Sequence, residues 1–181
     1  MWNCGQFGDT FELDELYSYL EQKAETETRE NVYLMTMVSR EPRQIVGFDV
    51  ARDKSPERIQ AIVDSAPQVE NYCTDGYLSY IDVVYPGKHI RNVCNKNDTF
   101  TVEGVNADLR HYIPGLARRS RCFYRNLETL DAVISVFVDA YNKFGEAKLK
   151  YYRRPTNHKS ANPDKRLHKF MDHPFSVLDF L

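Results

Sequence analysis

Asp75 lies in the stretch NYCTDGYLSY, where a run able to form a strand, Val69 to Cys73, stops at Thr74-Asp75-Gly76. A tyrosine-rich segment able to form a helix follows at once. Gly76 lets the chain turn without a Cβ penalty, and in an open α/β sheet such strand ends expose side chains over the sheet edge. Asp75 is therefore either the cap of an ordinary strand-to-helix turn or one group of a reacting cluster. Two other carboxylates have suitable positions: Asp14, within TFELDELYSYL, and Glu103, near the start of a helical pattern that begins at Val102. In a sheet ordered 3-2-1-4-5, strands one and four are neighbours, so Asp14 and Asp75 can converge, and a helix crossing that edge would bring Glu103 to them. Three converging carboxylates repel, which raises a pKa or draws in a divalent cation. Oxygen-only ligands favour Mg²⁺ or Mn²⁺ over zinc, and two such ions about 4 Å apart clamp the attacking and leaving oxygens of a phosphodiester. Residue type alone leaves Glu12, Glu15, Asp49 and Glu70 open on similar grounds.

The elements that must position these groups can be read from periodicity. Residues 1–9 read as a loose, Gly-rich lead-in. From Thr10 to Leu20 the chain alternates, with Phe11, Leu13, Tyr17 and Tyr19 on one face and Glu12, Asp14, Leu16 and Ser18 on the other, as in a strand. Asp14 thus shares a face with Leu16, a costly place for a carboxylate unless something pairs with it. The charged run Glu21 to Asn31 reads as a turn or hairpin loop. Val32 to Val38 is almost continuously apolar, as in a strand covered on both faces, and Ile45 to Ala51 is a third strand after Glu41-Pro42-Arg43. Ser55-Pro56-Glu57 opens a helix with Ile59, Ile62 and Val63 as its buried stripe. Lys88 to Cys94 is a fifth short strand. The pattern predicts a mixed α/β sheet with helices packed on it.

Further on, Val102, Val105, Leu109, Ile113 and Leu116 mark one helical side, and Glu103, Asn106 and Arg110 fall on another. Pro114-Gly115 predicts a kink or break. Asn126 caps a helix through about Phe144, with Gly145 as terminator. Beyond Tyr152 the chain is polar and Pro-containing.

With 181 residues the chain is long enough for one domain and a real core. Residues 1–103 carry a net charge of −8 and residues 104–181 a net charge of +6, a division suited to holding cations in one place and a polyanion in another. The four cysteines, Cys4, Cys73, Cys94 and Cys122, lie far apart without a CxxC and read as reduced thiols. No apolar run is long enough to span a bilayer. Arg118, Arg119, Arg121 and Arg125 suit phosphate contacts, with Phe123 or Tyr124 available to stack on an unpaired base; a solvated basic turn is the plain alternative. His89 reads as a core or edge histidine, and His158, His168 and His173 as solvent-exposed ones.

The motifs LDELYSY (Leu13 to Tyr19), TDGYLSY (Thr74 to Tyr80) and VEGVNADLRHYIPGLARRSRCFYRN (Val102 to Asn126) resemble, in order, the three catalytic blocks of a transposase family. It is the family of the short bacterial mobile element called insertion sequence one. The resemblance runs from about Phe11 to Tyr141, and the 27 residues between Asp75 and Glu103 fit the short interval of that family. It implies a DDE-type enzyme with a ribonuclease H-like α/β fold and a five-stranded sheet of order 3-2-1-4-5 over residues 10–152; the basic arm over 153–181 matches no part of the family pattern. Asp14, Asp75 and Glu103 would be the catalytic and metal-binding triad for two Mg²⁺ or Mn²⁺ ions. Asn106, Arg110, Arg118, Arg119, Arg121 and Arg125 would contact DNA.

The implied partners are element ends and target DNA, bound by a homodimer or higher oligomer in the bacterial cytoplasm at the nucleoid. A ribonuclease H-like nuclease without strand transfer, or a silent DNA-binding regulator, are the alternatives. The chain departs from the family in Gly104, where a basic or aromatic residue is usual, and in Pro114-Gly115. The zinc-binding and helix-turn-helix region that relatives carry ahead of the first Asp is not expected here, because Asp14 lies so close to Met1.

Overall fold

Alternating hydrophobicity decides which residues face which helix layer, and the sheet follows from it. The computed structural model describes residues 7–22, 28–92, 98–117 and 122–152. Strand β1 (Thr10–Gln22) pairs antiparallel with β2 (Thr28–Ser39), which pairs antiparallel with β3 (Gln44–Ala51). On its other side β1 pairs parallel with β4 (Asn71–Thr74), and β4 pairs parallel with β5 (Lys88–Arg91). The order is therefore β3-β2-β1-β4-β5, as the family resemblance implies. The helices are α1 (Pro56–Ser65), α2 (Phe100–Tyr112) and α3 (Leu127–Tyr152).

The period of two divides the core into two layers. Phe11, Leu13, Met35 and Met37 lie on the α1 side with Ile59, Ile62 and Val63. Leu16, Leu20, Val32, Leu34 and Val38 lie on the other side, against Val102, Val105 and Leu109 of α2 and Leu130 and Ile134 of α3. In-register pairs such as Leu13 with Met37 and Leu16 with Leu34 keep each layer continuous across β1 and β2.

Several expectations are corrected. The tyrosine-rich segment after Asp75 forms only a short 3-10 turn, Leu78–Ile81, because Leu78 and Ile81 face solvent and offer no buried stripe for a helix. The run Glu21 to Asn31 is not all loop: both strands extend into it, with Glu21 opposite Arg29. Residues 7–9 are tied down, since Asp9 O accepts from Asn71 N at 2.9 Å and Gly8 N donates to Glu41 O.

Ser55 stands at the N-cap of α1 but makes no capping side-chain bond. Asn126 does cap α3, its Oδ1 accepting from Thr129 N at 2.8 Å. Gly145 does not stop that helix, which runs on to Tyr152. Helix α2 ends at Tyr112 and a 3-10 turn, Pro114–Leu116, replaces its continuation. The Tyr124 ring packs directly on Gly115, leaving no room for a Cβ there, so the break doubles as a seat for this aromatic. No helix among the described residues is long and apolar enough to cross a membrane.

Candidate active site

β1 and β4 run parallel only from Thr10 to Glu12 against Asn71 to Cys73. β4 ends at Thr74. Beyond Glu12, the β4-facing edge of β1 therefore has no strand partner among the described residues until the lone bridge of Leu20 to Tyr124. Asp14 and Glu15 sit on that open edge and Asp75 follows the end of β4. Asp14, Glu15 and Asp75 each offer a carboxylate oxygen, all within 4.8 Å of one another. Glu103, one turn before Asn106 on α2, lies outside this cluster but is near enough for its charge to act on Asp14.

The need for a partner beside Leu16 is met by Asn106. Its Nδ2 donates to Asp14 Oδ2 at 2.9 Å, and its Oδ1 accepts the Thr36 hydroxyl at 3.2 Å. Asn106 is only 4 % exposed, so its side chain serves Asp14 and not, as the sequence suggested, the DNA-facing surface. Burial raises the Asp14 pKa above the usual carboxylate range, the bonds from the Glu15 backbone and Asn106 oppose this, and the charges of Asp75 and Glu103 add to it. Burial likewise pushes Glu15 up to about 7; Lys54 and the Tyr80 hydroxyl pull it down, while Asp75 and Asp14 push with burial. Tyr80, buried below the cluster, is raised by burial and by the same carboxylates.

Asp75 is fixed by its turn. Its Oδ1 accepts from Tyr77 N at 2.8 Å, so it does cap the turn it begins, with one oxygen. Arg91 Nη2 donates to Gly76 O, and the Thr74 hydroxyl meets His89 Nε2 at 2.8 Å. His89 also stacks on Tyr85, with ring centroids 4.2 Å apart, and burial and Arg91 lower its pKa. It is the sheet histidine that the sequence suggested, lying one strand from Asp75.

Glu12 explains how α2 is aimed. It is 0 % exposed, with Oε1 paired to Arg40 Nε at 2.8 Å and Oε2 accepting from Thr101 N at 2.7 Å and Val102 N at 2.9 Å. The carboxylate satisfies two of the orphan N–H groups of the helix and complements its dipole. From Glu12 to Asp14 a strand rises about 7 Å, and from Val102 to Asn106 a helix rises about 6 Å. The two attachments therefore hold α2 alongside β1, and Glu103 lies between them in sequence. Sequence reading named Glu12 and Glu15 only as alternatives. The signal available was a second and third carboxylate flanking Asp14 on a strand that has to be buried.

Gly104 also finds a reason. A Cβ there would meet the Arg43 guanidinium at 2.6 Å, so Arg43 fills the space beside Gly104 and pairs with Asp108 at 3.4 Å. Arg110 is half-buried near the end of α2, and Arg125 is exposed before α3. Arg118, Arg119 and Arg121 lie outside the described residues, as does the arm 153–181 with its histidines. Phe123 packs on Tyr19, with centroids 4.7 Å apart, and Tyr124 is half-buried on Gly115, so both rings are already engaged.

The cluster suits a hard divalent cation: its donors are all carboxylate oxygens, and Glu15 Oε1 is buried without a hydrogen-bond partner. No curated protein matches the chain. The family model described as IS1 transposase matches residues 10–144, a span that contains β1, the turn at Asp75, α2 and most of α3. That family implies DNA as partner and the use of divalent metal. By this match over most of its length, and with the sheet order and acidic edge described above, the chain belongs to the IS1 transposase family.

Proposed function

We propose that residues 10–152 form a DDE catalytic domain that cuts DNA at the ends of a mobile element and joins the freed end to target DNA. Asp14, Asp75 and Glu103 would hold two divalent cations, Mg²⁺ or Mn²⁺. The observation that carries this reading is the meeting of Asp14 and Asp75 within 4.8 Å at the open edge of β1, in a chain of this family. When bound, the cations supply the positive charge that offsets charge building up on the attacking and leaving oxygens.

The chain's own residues supply position. Asn106 holds the Asp14 carboxylate in one orientation, and Glu12 fixes the start of α2 and hence the base of Glu103. Such pre-set geometry removes reorganisation from the barrier. Arg110, Arg118, Arg119, Arg121 and Arg125 neutralise phosphates along the DNA path. In the first step a water oxygen bonds to phosphorus, the 3′ oxygen leaves with its electron pair and takes up a proton, and a 5′-phosphate and a 3′-hydroxyl result. In the second, that 3′-hydroxyl attacks a target phosphodiester and releases a target 3′-hydroxyl. Joining two element ends to one target calls for at least two copies of the chain, working on chromosomal DNA at the nucleoid.

Product analysis tests the reading. The chain, a duplex bearing the element's terminal repeat, a supercoiled target and Mg²⁺ should yield nicked ends and covalently joined target. Nicks without joining would identify a nuclease, and binding without nicks a silent regulator.

A further inference from the structure

We infer that Glu15 is a fourth cation-binding carboxylate of this site, on the opposite side of the β1 edge from Glu103, and that a bound cation takes over from Lys54 as its positive partner. The inference rests on the proposed metal-binding reading and extends it to a residue outside the triad.

Neighbouring residues of a strand leave it toward opposite faces. Asp14 goes to the α2 side, where Asn106 holds it, and Glu15 to the other. Yet each supplies an oxygen within 4.8 Å of the same Asp75 carboxylate. This is possible because β4 leaves the edge of β1 uncovered beyond Glu12, so both side chains reach round it toward the same point. The Glu15 side chain is 7 % exposed, and its Oε1 is buried with no hydrogen-bond partner. An ionised carboxylate has about four acceptor sites to fill. Lys54 Nζ stands 3.9 Å from Oε2, beyond hydrogen-bond length, and is drawn over the Tyr77 ring at 3.6 Å from its centroid. A buried pair kept only for stability repays desolvation when its remaining lone pairs are satisfied. Here, with Lys54 and the Tyr80 hydroxyl beside the group, Oε1 is still left without a hydrogen bond, and Glu15 belongs to a cluster of hard donors. The ammonium supplies one positive charge to the Glu15 side of the cluster, and a divalent ion would supply two with coordination.

The test is Mn²⁺ binding to the full chain without DNA, followed by calorimetry, with thermal unfolding in chelator as the check that each variant folds. Glu15→Gln should weaken Mn²⁺ binding at least tenfold. Lys54→Met should tighten it severalfold, because the competing charge is removed. Asp14→Asn and Asp75→Asn should abolish binding. Should Glu15→Gln fail to fold, Glu15→Asp takes its place, and unchanged binding by that variant, or unchanged or weaker binding by Lys54→Met, would overturn the inference. Normal binding by Glu15→Gln, with loss in Asp75→Asn, would overturn the role of Glu15 while leaving the triad standing. Normal binding in Asp14→Asn and Asp75→Asn would overturn both.

Discussion

Asn106 and Asp14 are joined by a 2.9 Å hydrogen bond between the second turn of α2 and the middle of the leading strand. Thr36, which bonds the other end of the Asn106 amide, is the residue opposite Asp14 across the sheet. Helix, strand and neighbouring strand are thus locked at one carboxylate. Replacing Asn106 with Ala leaves a buried carboxylate short of a donor and should cost about 1.5–3 kcal/mol. Urea denaturation of the variant checks this, and a cycle with Asp14→Ala should show the two losses to be non-additive.

Glu12 should matter more to folding than its place outside the proposed triad suggests. Removing one partner of a buried ion pair costs about 3–5 kcal/mol, and Glu12→Ala also uncaps α2. The loss should be local as well as global. Amide exchange at Thr101 and Val102, whose N–H groups Glu12 accepts, should quicken more than exchange at Leu109 in the same helix.

Burial of Glu15 predicts a pH dependence in the absence of divalent cations. Its folded pKa of about 7 lies above the ordinary 4.5, so the folded state holds its proton over a range where the unfolded state has lost it. The stability from this group is complete below about pH 4.5 and falls as pH rises toward about 7, by at most about 3 kcal/mol. Asp14, also raised, acts in the same direction. Melting temperatures across this range should fall, and Glu15→Gln should flatten the curve.

The strands were legible because alternation in β1, the apolar run of β2 and the break at Thr74 each reflect burial, and burial is written in residue type; their order came from the family resemblance. The positions of Asp14 and Asp75 followed from that order. What stayed hidden depends on neighbours distant in sequence. Glu12 is separated from Thr101 by half the chain, and nothing local marks it as the cap of α2. Asn106 reads as a polar surface residue until Asp14 is placed beside it. The segment after Asp75 looked helical from its tyrosines, but Leu78 and Ile81 find no core to face. Gly145 looked like a stop, but glycine inside a helix costs only about 1 kcal/mol and does not end it.

The basic residues before α3 should act on DNA without regard to sequence, since phosphate contacts carry little base information. Replacing Arg118, Arg119 and Arg121 together should weaken binding similarly on all duplexes. The slope of log affinity against log salt should flatten by about 0.9 for each phosphate that is no longer neutralised, hence by about 3 at most. Fluorescence anisotropy over a salt series measures both quantities.

The most direct test of the metal-dependent site is Asp75→Asn, measured for cleavage and for DNA binding in the same preparation. The amide keeps the size and the Oδ1 acceptor that fixes the turn through Tyr77 N, and removes the charge. Mg²⁺-dependent nicking of an end-bearing duplex should disappear, while salt-sensitive binding to that duplex stays within about twofold of the parent. Equal loss of both activities would show that Asp75 is a structural cap and contradict the account.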